Sequence, residues 1–519
     1  MISPERNTLL AANWRCLLIC LFVSLANCQY GFDTNALAGF QAMAGFLRIF
    51  GYADPKSASG YNIHTKPQQL ISSFLNVGTI VGAVAAVPFS HRFGRRHAIW
   101  AGCGVSFVAC AVQLASTTLG GLYAGRILMG VANGFFTTFS NVYTVEAAPP
   151  HLRGMIVSFF GLWVNIGSVL GSVCDNYTKN YTTSRIAYQI PLAVLFVLPT
   201  LLAVLVVFIP ESPRWLLVQD RPEDARAALA RLRGGSLPRA FLDEEFVEMQ
   251  RGIAEERALA SSASFLDMFR GTNLRRTVIS AGAVVTHAAT GLWFILSFGT
   301  YFFQAAGLNK PFLASVLGTV TGLGGAIVGL FLTHRLFGRR TMMMVGATGC
   351  ACCMLAIAVA YTVAAGSLAA GRALLAFAFM FYFFYNGFIG TVSWPIAGEV
   401  VASRLRVSTI SLGTGFNYFF NWLISYCSPY FINKDDLNWG PKYGYIWAGA
   451  NFAALVFIIF MVPETKGRSL EEIDELFENR VSVWRFKSYQ CISSEAAKEI
   501  VKKDHEAGLP EPNVVHIEL

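Results

Sequence analysis

The chain has 519 residues, of which 54% are hydrophobic and only 14% charged, with a mean hydropathy of +0.48. Soluble domains carry about 25% charge, so this composition excludes a soluble globular protein, a disordered chain, a coiled coil and a disulfide scaffold. The formal net charge of +9 does not mark a nucleic-acid surface. Arg92, Arg95, Arg96, Arg339 and Arg340 are confined to short turns between apolar runs, where positive charge sets orientation toward the cytoplasm.

A membrane-spanning helix needs about 20 apolar residues. Runs of that kind fall at 14–37, 70–90, 97–117, 119–145, 153–174 and 189–210, then at 276–303, 311–334, 341–364, 368–397, 407–431 and 441–463. The expected fold is an all-α polytopic membrane protein, with twelve transmembrane helices arranged as two six-helix halves. Residues 1–13 form an N-terminal segment, 14–210 the first half, 211–275 a charged helical linker, 276–463 the second half and 464–519 a tail. The first run is long and has no convincing cleavage site, so it reads as a retained helix. Of the 11 cysteines, nine lie inside apolar runs and read as small packing residues.

Orientation follows from two signals. The basic turns His91 to His97 and His334 to Arg340 belong on the cytoplasmic side, and with them the linker and both termini. Asn176 and Asn180 each begin an Asn-Tyr-Thr glycosylation acceptor triplet between spans five and six, on the outer side of the same topology.

The two halves repeat each other. Gly94-Arg95-Arg96 recurs as Gly338-Arg339-Arg340. Glu146 and Arg153 after span four recur, at the same separation, as Glu399 and Arg406 after span ten. Pro210-Glu211-Ser212-Pro213-Arg214 after span six has its counterpart in Pro463-Glu464-Thr465-Lys466-Gly467 after span twelve. Matched halves are the architecture of a transporter with alternating access, its substrate held between them near the midplane.

Inside the first span, Asp33 is an ionisable group at membrane depth, where an unpaired charge costs about 2.5–3.5 kcal/mol. It needs a partner or a proton. Arg126, near the start of span four, is the candidate partner, and a pair that opens and closes is a device for loading a proton.

These motifs resemble the sugar porters of the major facilitator superfamily, especially the fungal branch, over about residues 14–478. The resemblance implies that Arg95, Arg96, Glu146, Arg153, Glu211, Arg214, Arg339, Arg340, Glu399, Arg406 and Glu464 form a cytoplasmic gate of ion pairs. That gate holds the outward-facing state. His91 and Arg335 stand where such turns often carry Asp. The resemblance also implies proton coupling at Asp33 and Arg126, and a sugar site that includes Tyr30, Trp394, Asn417 and Tyr418, where amides meet hydroxyls and aromatic planes meet the apolar sugar face.

Departures from the family concentrate in that site. Gly161 replaces a Gln on span five, His287-Ala288 replaces paired glutamines on span seven, and Trp293 replaces an Asn. Gly161 makes room for a larger solute such as a disaccharide or glycoside, and His287 retains one polar handle. The leading reading is a proton-coupled symporter of a sugar or sugar-like solute in the plasma membrane, with protons, the small-molecule substrate and the bilayer as its partners. The alternative is transport of a polyol, a quinate-like acid or a secondary metabolite for efflux. A nutrient sensor that does not transport is the third, and the short capped helix expected from Ser469 points away from it. No phosphate-cradling loop, metal-ligand spacing or nucleophile–base pair is present, so no enzyme, cofactor or metal site is expected.

Overall fold

The computed structural model describes residues 13–491 apart from 56, 58, 150, 151, 182, 183, 235–238, 263, 366, 434, 469 and 490. Eight of its helical stretches are long and apolar enough to cross a membrane. One of them, Thr65–Ala115, is two spans joined at Gly94, whose φ of 85° and ψ of 177° break the helix within the basic turn. Leu119–Ala147, Arg153–Thr178 and Arg406–Ile432 are of similar length but more polar. Together these helices supply twelve spans.

Several spans are jointed. The first runs from Trp14–Ser24 into Ala26–Phe40, and the sixth from Ile186–Val194 into Val197–Phe208. The seventh breaks between Gly271–Ala289 and Leu292–Ala305 at Gly291, which adopts φ +88° with Trp447 packed against it. Only glycine takes that conformation without strain. The tenth passes from Leu368–Phe384 through a π-helical turn at Tyr385–Ile389 into Gly390–Glu399. Such turns re-phase a helix and re-aim the side chains beyond them.

Within each half, small residues let helix backbones meet, which is how helices pack when lipid removes the hydrophobic drive. Gly31 and Gly167 bring spans one and five together, and a Cβ on either would collide with a carbonyl of the other helix. Gly78 and Gly130 do the same for spans two and four. Gly31→Val is therefore expected to lower the melting temperature of the detergent-purified protein by several degrees, because overpacking costs about 1–3 kcal/mol. Gly104→Ala, where a Cβ meets open space, should leave it unchanged. Equal melting temperatures would refute the close-contact account.

At the face where the described chain begins, the linker folds as Pro213–Val218, Pro222–Arg233 and Arg239–Ser262. Arg233 anchors it by pairing with Glu245 and donating to Ala147 O at 3.0 Å. The segment Leu470–Glu478 packs beneath the second half, where Arg276 pairs with Asp474. Its Ile473, Leu476 and Phe477 are buried at helical spacing, whereas Ser469, the cap expected from the sequence, lies outside the described residues. This end of the molecule is its terminal face.

Candidate functional site: buried pair, paired clamps and central seam

Asp33 and Arg126 form the most deeply buried ion pair among the described residues. Oδ1 of Asp33 lies 2.8 Å from Nη1 of Arg126, with side chains 1% and 0% exposed. Asn133, one helical stretch along span four, donates to the second carboxylate oxygen at 3.3 Å. Arg126 keeps Nε and Nη2 without partners. The charge is thus matched but the guanidinium is under-satisfied. Breaking the pair would leave a cation in a site that cannot solvate it. Asn133 is absent from the sequence reading. Its position seven residues after Arg126, on the same helix face, was the available signal.

The repeated motifs build two clamps with the same wiring. In the first half, Arg95 grips Glu146 through Nε at 3.0 Å and Nη2 at 2.7 Å. Ser212 Oγ adds a bond to Glu146 at 2.5 Å. Glu211 accepts the backbone N–H of Arg95 at 3.0 Å and of Ser212 at 2.9 Å. Arg96 reaches back to Val206 O and Val207 O and lies over the Trp100 ring.

In the second half, Arg339 pairs with Glu399 at 2.7 Å, and Thr465 donates to Glu399 at 2.8 Å. Glu464 accepts the Arg339 N–H at 2.8 Å. Arg340 donates to Ile459 O at 2.6 Å and lies over Trp484 of the tail. Ser212 and Thr465 occupy equivalent places in the repeat and were legible as such, though their role as hydrogen-bond donors was not.

Among the described residues, the bonds of Glu146 and of Glu399 given above each tie spans of one half to each other. Burial pushes the Glu211 carboxyl above the ordinary carboxylate range, against the pull of the N–H groups of Ser212, Arg96 and Arg95. Arg214 is half-buried in the short helix after Glu211. Arg406 has Nε and Nη2 buried without partners, close enough to Glu399 to act on its charge. The Arg153 side chain lies outside the described residues.

The two halves meet toward the opposite face in a polar seam. Asn433 donates to Thr65 Oγ1 at 3.0 Å and Gln68 Oε1 at 2.8 Å. The Tyr301 hydroxyl stands between Asn433 Oδ1 at 2.9 Å and Asn62 Oδ1 at 3.1 Å. Tyr52, on the small hairpin formed by Tyr52–Ala53 and Tyr61–Asn62, donates to Asp435 at 2.8 Å. Deeper in, Asn76 meets Ser425 at 2.9 Å and Thr319 meets Ser172 at 3.3 Å. Gln68 and Ser425 are fully buried, so this end is sealed.

Below the seam lie the residues read from the sequence as the substrate site. Tyr30 and Trp293 face each other from opposite halves, with ring centroids 6.1 Å apart. Tyr418, from span eleven, faces Thr137 of span four. His287 Nε2 is hydrogen-bonded to the Tyr385 hydroxyl, with its Nδ1 unpartnered. Asn417 is 5% exposed with Oδ1 unpartnered, and Trp394 is half-buried beyond the π-helical turn. Gly161 opens onto space, because nothing lies within 4 Å of the position a Cβ would take. Tyr385, which holds His287, was not read from the sequence. Nothing in an aromatic-rich run singles out one tyrosine.

Of the two acceptor triplets, Asn176 falls inside the helix Arg153–Thr178, receives a bond from Lys179 at 2.8 Å and has its Thr178 buried. Asn180 is exposed beyond the helix end.

Residues 19–477 match the family model described as sugar (and other) transporter. The major facilitator-type transporter ecdD of Aspergillus rugulosus is 31% identical over 89% of this chain and 87% of its own length. The probable glucose transporter rco-3 of Neurospora crassa is 30% identical over 91% of this chain and 81% of its own. Among solved structures, the proton:xylose symporter XylE bound to 6-bromo-6-deoxy-D-glucose superposes with a TM-score of 0.71 at 20% identity, covering 90% of this chain and 100% of that one. The inward open conformation of XylE from E. coli gives 0.70 at 20% identity, covering 89% and 99%. At that identity the likeness concerns the fold. The two six-helix halves, the repeated clamps and the family match agree: this chain belongs to the sugar porter family of the major facilitator superfamily, as a membrane transporter working by alternating access and not an enzyme.

Proposed function

We propose that the protein is a proton-coupled symporter of a neutral sugar or sugar-like solute, with the terminal face cytoplasmic. The observation that carries this reading is the Asp33–Arg126 pair, an ionisable pair at membrane depth with a carboxylate able to take a proton. Protonation of Asp33 removes the partner of Arg126, and the uncompensated guanidinium then drives the first half to rearrange. The names of the relatives, a probable glucose transporter and a proton:xylose symporter, support the same class.

With the seam closed and the Gly161 side open, the structure corresponds in this reading to the inward-facing state. The clamps at Glu146 and Glu399 keep each half rigid while the halves rock, and Arg95, Arg96, Arg339 and Arg340 are their cationic members. Asn180 is the glycosylation acceptor that this orientation favours, since it is the exposed one of the two.

One observation favours a second reading. The amide positions expected for a hexose are occupied by Gly161, His287, Ala288 and Trp293, and ecdD is named without a substrate. A polyol or another non-sugar cargo fits that departure. The test is uptake into proteoliposomes under an inward pH gradient, with labelled hexoses, disaccharides, polyols and quinate. Accumulation of a sugar above the external concentration, abolished by a protonophore, is the expected result. Uptake of quinate or a polyol alone would select the second reading.

A further inference from the structure

Span five carries a polar stripe that reaches the boundary between the halves. Gly161, Asn165, Ser168 and Ser172 recur at intervals of four, three and four on a single helix, so they share a face. Its Ser168 and Ser172 bond span one at Gly31 O and Asn35 Oδ1, while the side toward span eight is marked by Thr319, which donates to Ser172, and by Asn165, whose Oδ1 lies 3.6 Å from where a Cβ on Gly322 would stand. Asn386 arrives at the same point from span ten, its Nδ2 2.8 Å from that position. Two carboxamides, one from each half, therefore converge over the bare backbone of Gly322.

Each amide is held in place by its own helix. Asn165 donates one N–H to Gly161 O at 2.9 Å, and Asn386 donates one to Tyr382 O at 3.0 Å. Each keeps its Oδ1 and a second N–H for another partner. Both side chains are half-buried, so they have water to exchange for a ligand. One turn from Asn165, toward the terminal face, is the open space beside Gly161. Two acceptors and two donors suit a pair of neighbouring hydroxyls, each of which gives and receives one bond. The carboxamides bring no charge, which favours a neutral solute over an acid, whose carboxylate would lose water without a counter-ion.

We propose that Asn165 and Asn386 are the specificity-determining pair of this transporter, and that its substrate class is a glycoside or disaccharide. The hydroxyl-rich head lies between the two amides and the substituent fills the space beside Gly161. This assignment rests on the sugar reading above. It places recognition at residues outside the positions carried over from the family resemblance. Because one amide belongs to each half, a head bound to both also links the halves.

The test is binding to the purified protein, measured by titration calorimetry with glucose, maltose, cellobiose and 4-nitrophenyl β-glucoside. Melting temperatures would confirm that each variant is folded. At least one glycoside should bind ten times more tightly than glucose. Asn165→Ala and Asn386→Ala should each weaken that glycoside about five- to tenfold, as expected for a lost hydrogen bond. Gly161→Gln should cut the glycoside-to-glucose preference at least tenfold by filling the space. If folded alanine variants bind as tightly as the parent, or glucose binds as tightly as every glycoside, the assignment is overturned while the sugar reading stands. If no sugar binds at all, both are overturned.

Discussion

Asp33→Asn protein in proteoliposomes is expected to lose pH-driven accumulation entirely, its internal solute never exceeding the external concentration, while the parent concentrates it. Asparagine keeps the size of the side chain and its contact with Asn133, but it cannot carry a proton through the cycle. The substitution also leaves Arg126 as a buried cation with neither its 2.8 Å partner nor bonds at Nε and Nη2. Removing one member of a buried pair costs about 3–5 kcal/mol, so the melting temperature should fall as well. The double variant Asp33→Asn, Arg126→Gln removes both charges and should recover much of that stability without recovering accumulation. This pattern separates a coupling role from a static lock between spans one and four. If the double variant still concentrates solute, proton coupling does not pass through this pair.

Asn433→Ala is expected to open the sealed end. The side chain donates to Thr65 and Gln68 across the boundary between the halves, and accepts from Tyr301 of its own half. At about 1 kcal/mol for each net hydrogen bond, the loss of the two that cross amounts to roughly thirtyfold in the equilibrium between the two states. Gln68, fully buried, would be left with both amide atoms unsatisfied in the closed form, which adds to the bias. Spin labels at Ala53 and Leu437, on exposed positions of the two facing loops, would report the change as a longer distance population. A distribution identical to that of the unsubstituted protein would show that the seam does not set the closed state. Glu146→Gln is the contrasting case, because its bonds stay within one half. It should slow transport without moving that distance.

The sequence by itself determined the architecture. Twelve spans follow from run length against bilayer thickness, and the kinship of the halves follows from three charged motifs repeated in order. The Asp33–Arg126 pair was legible for a simple reason: charges at membrane depth are so costly that the few present must find each other. The wiring of the clamps was partly legible, since Glu146 and Glu399 stand in equivalent places and so do Ser212 and Thr465.

What only the tertiary structure decided is where side chains point after each helix is interrupted. The break at Gly291 and the π-helical turn at Tyr385–Ile389 re-phase spans seven and ten, and no periodicity count carries through such joints. That is why His287 was visible as a polar handle but its hydrogen bond to Tyr385 was not. The seam shows the same limit more strongly. Asn433, Gln68, Tyr301 and Asn62 are unremarkable polar residues near span ends, separated by up to 371 positions from Asn62 to Asn433. The bonds of Asn433 to Gln68 and of Tyr301 to Asn62 exist only because two halves dock, and hydrogen bonds across a docking surface leave no period in the chain. The convergence of Asn165 and Asn386 over Gly322 belongs to that second class, fixed by the approach of three helices from two halves.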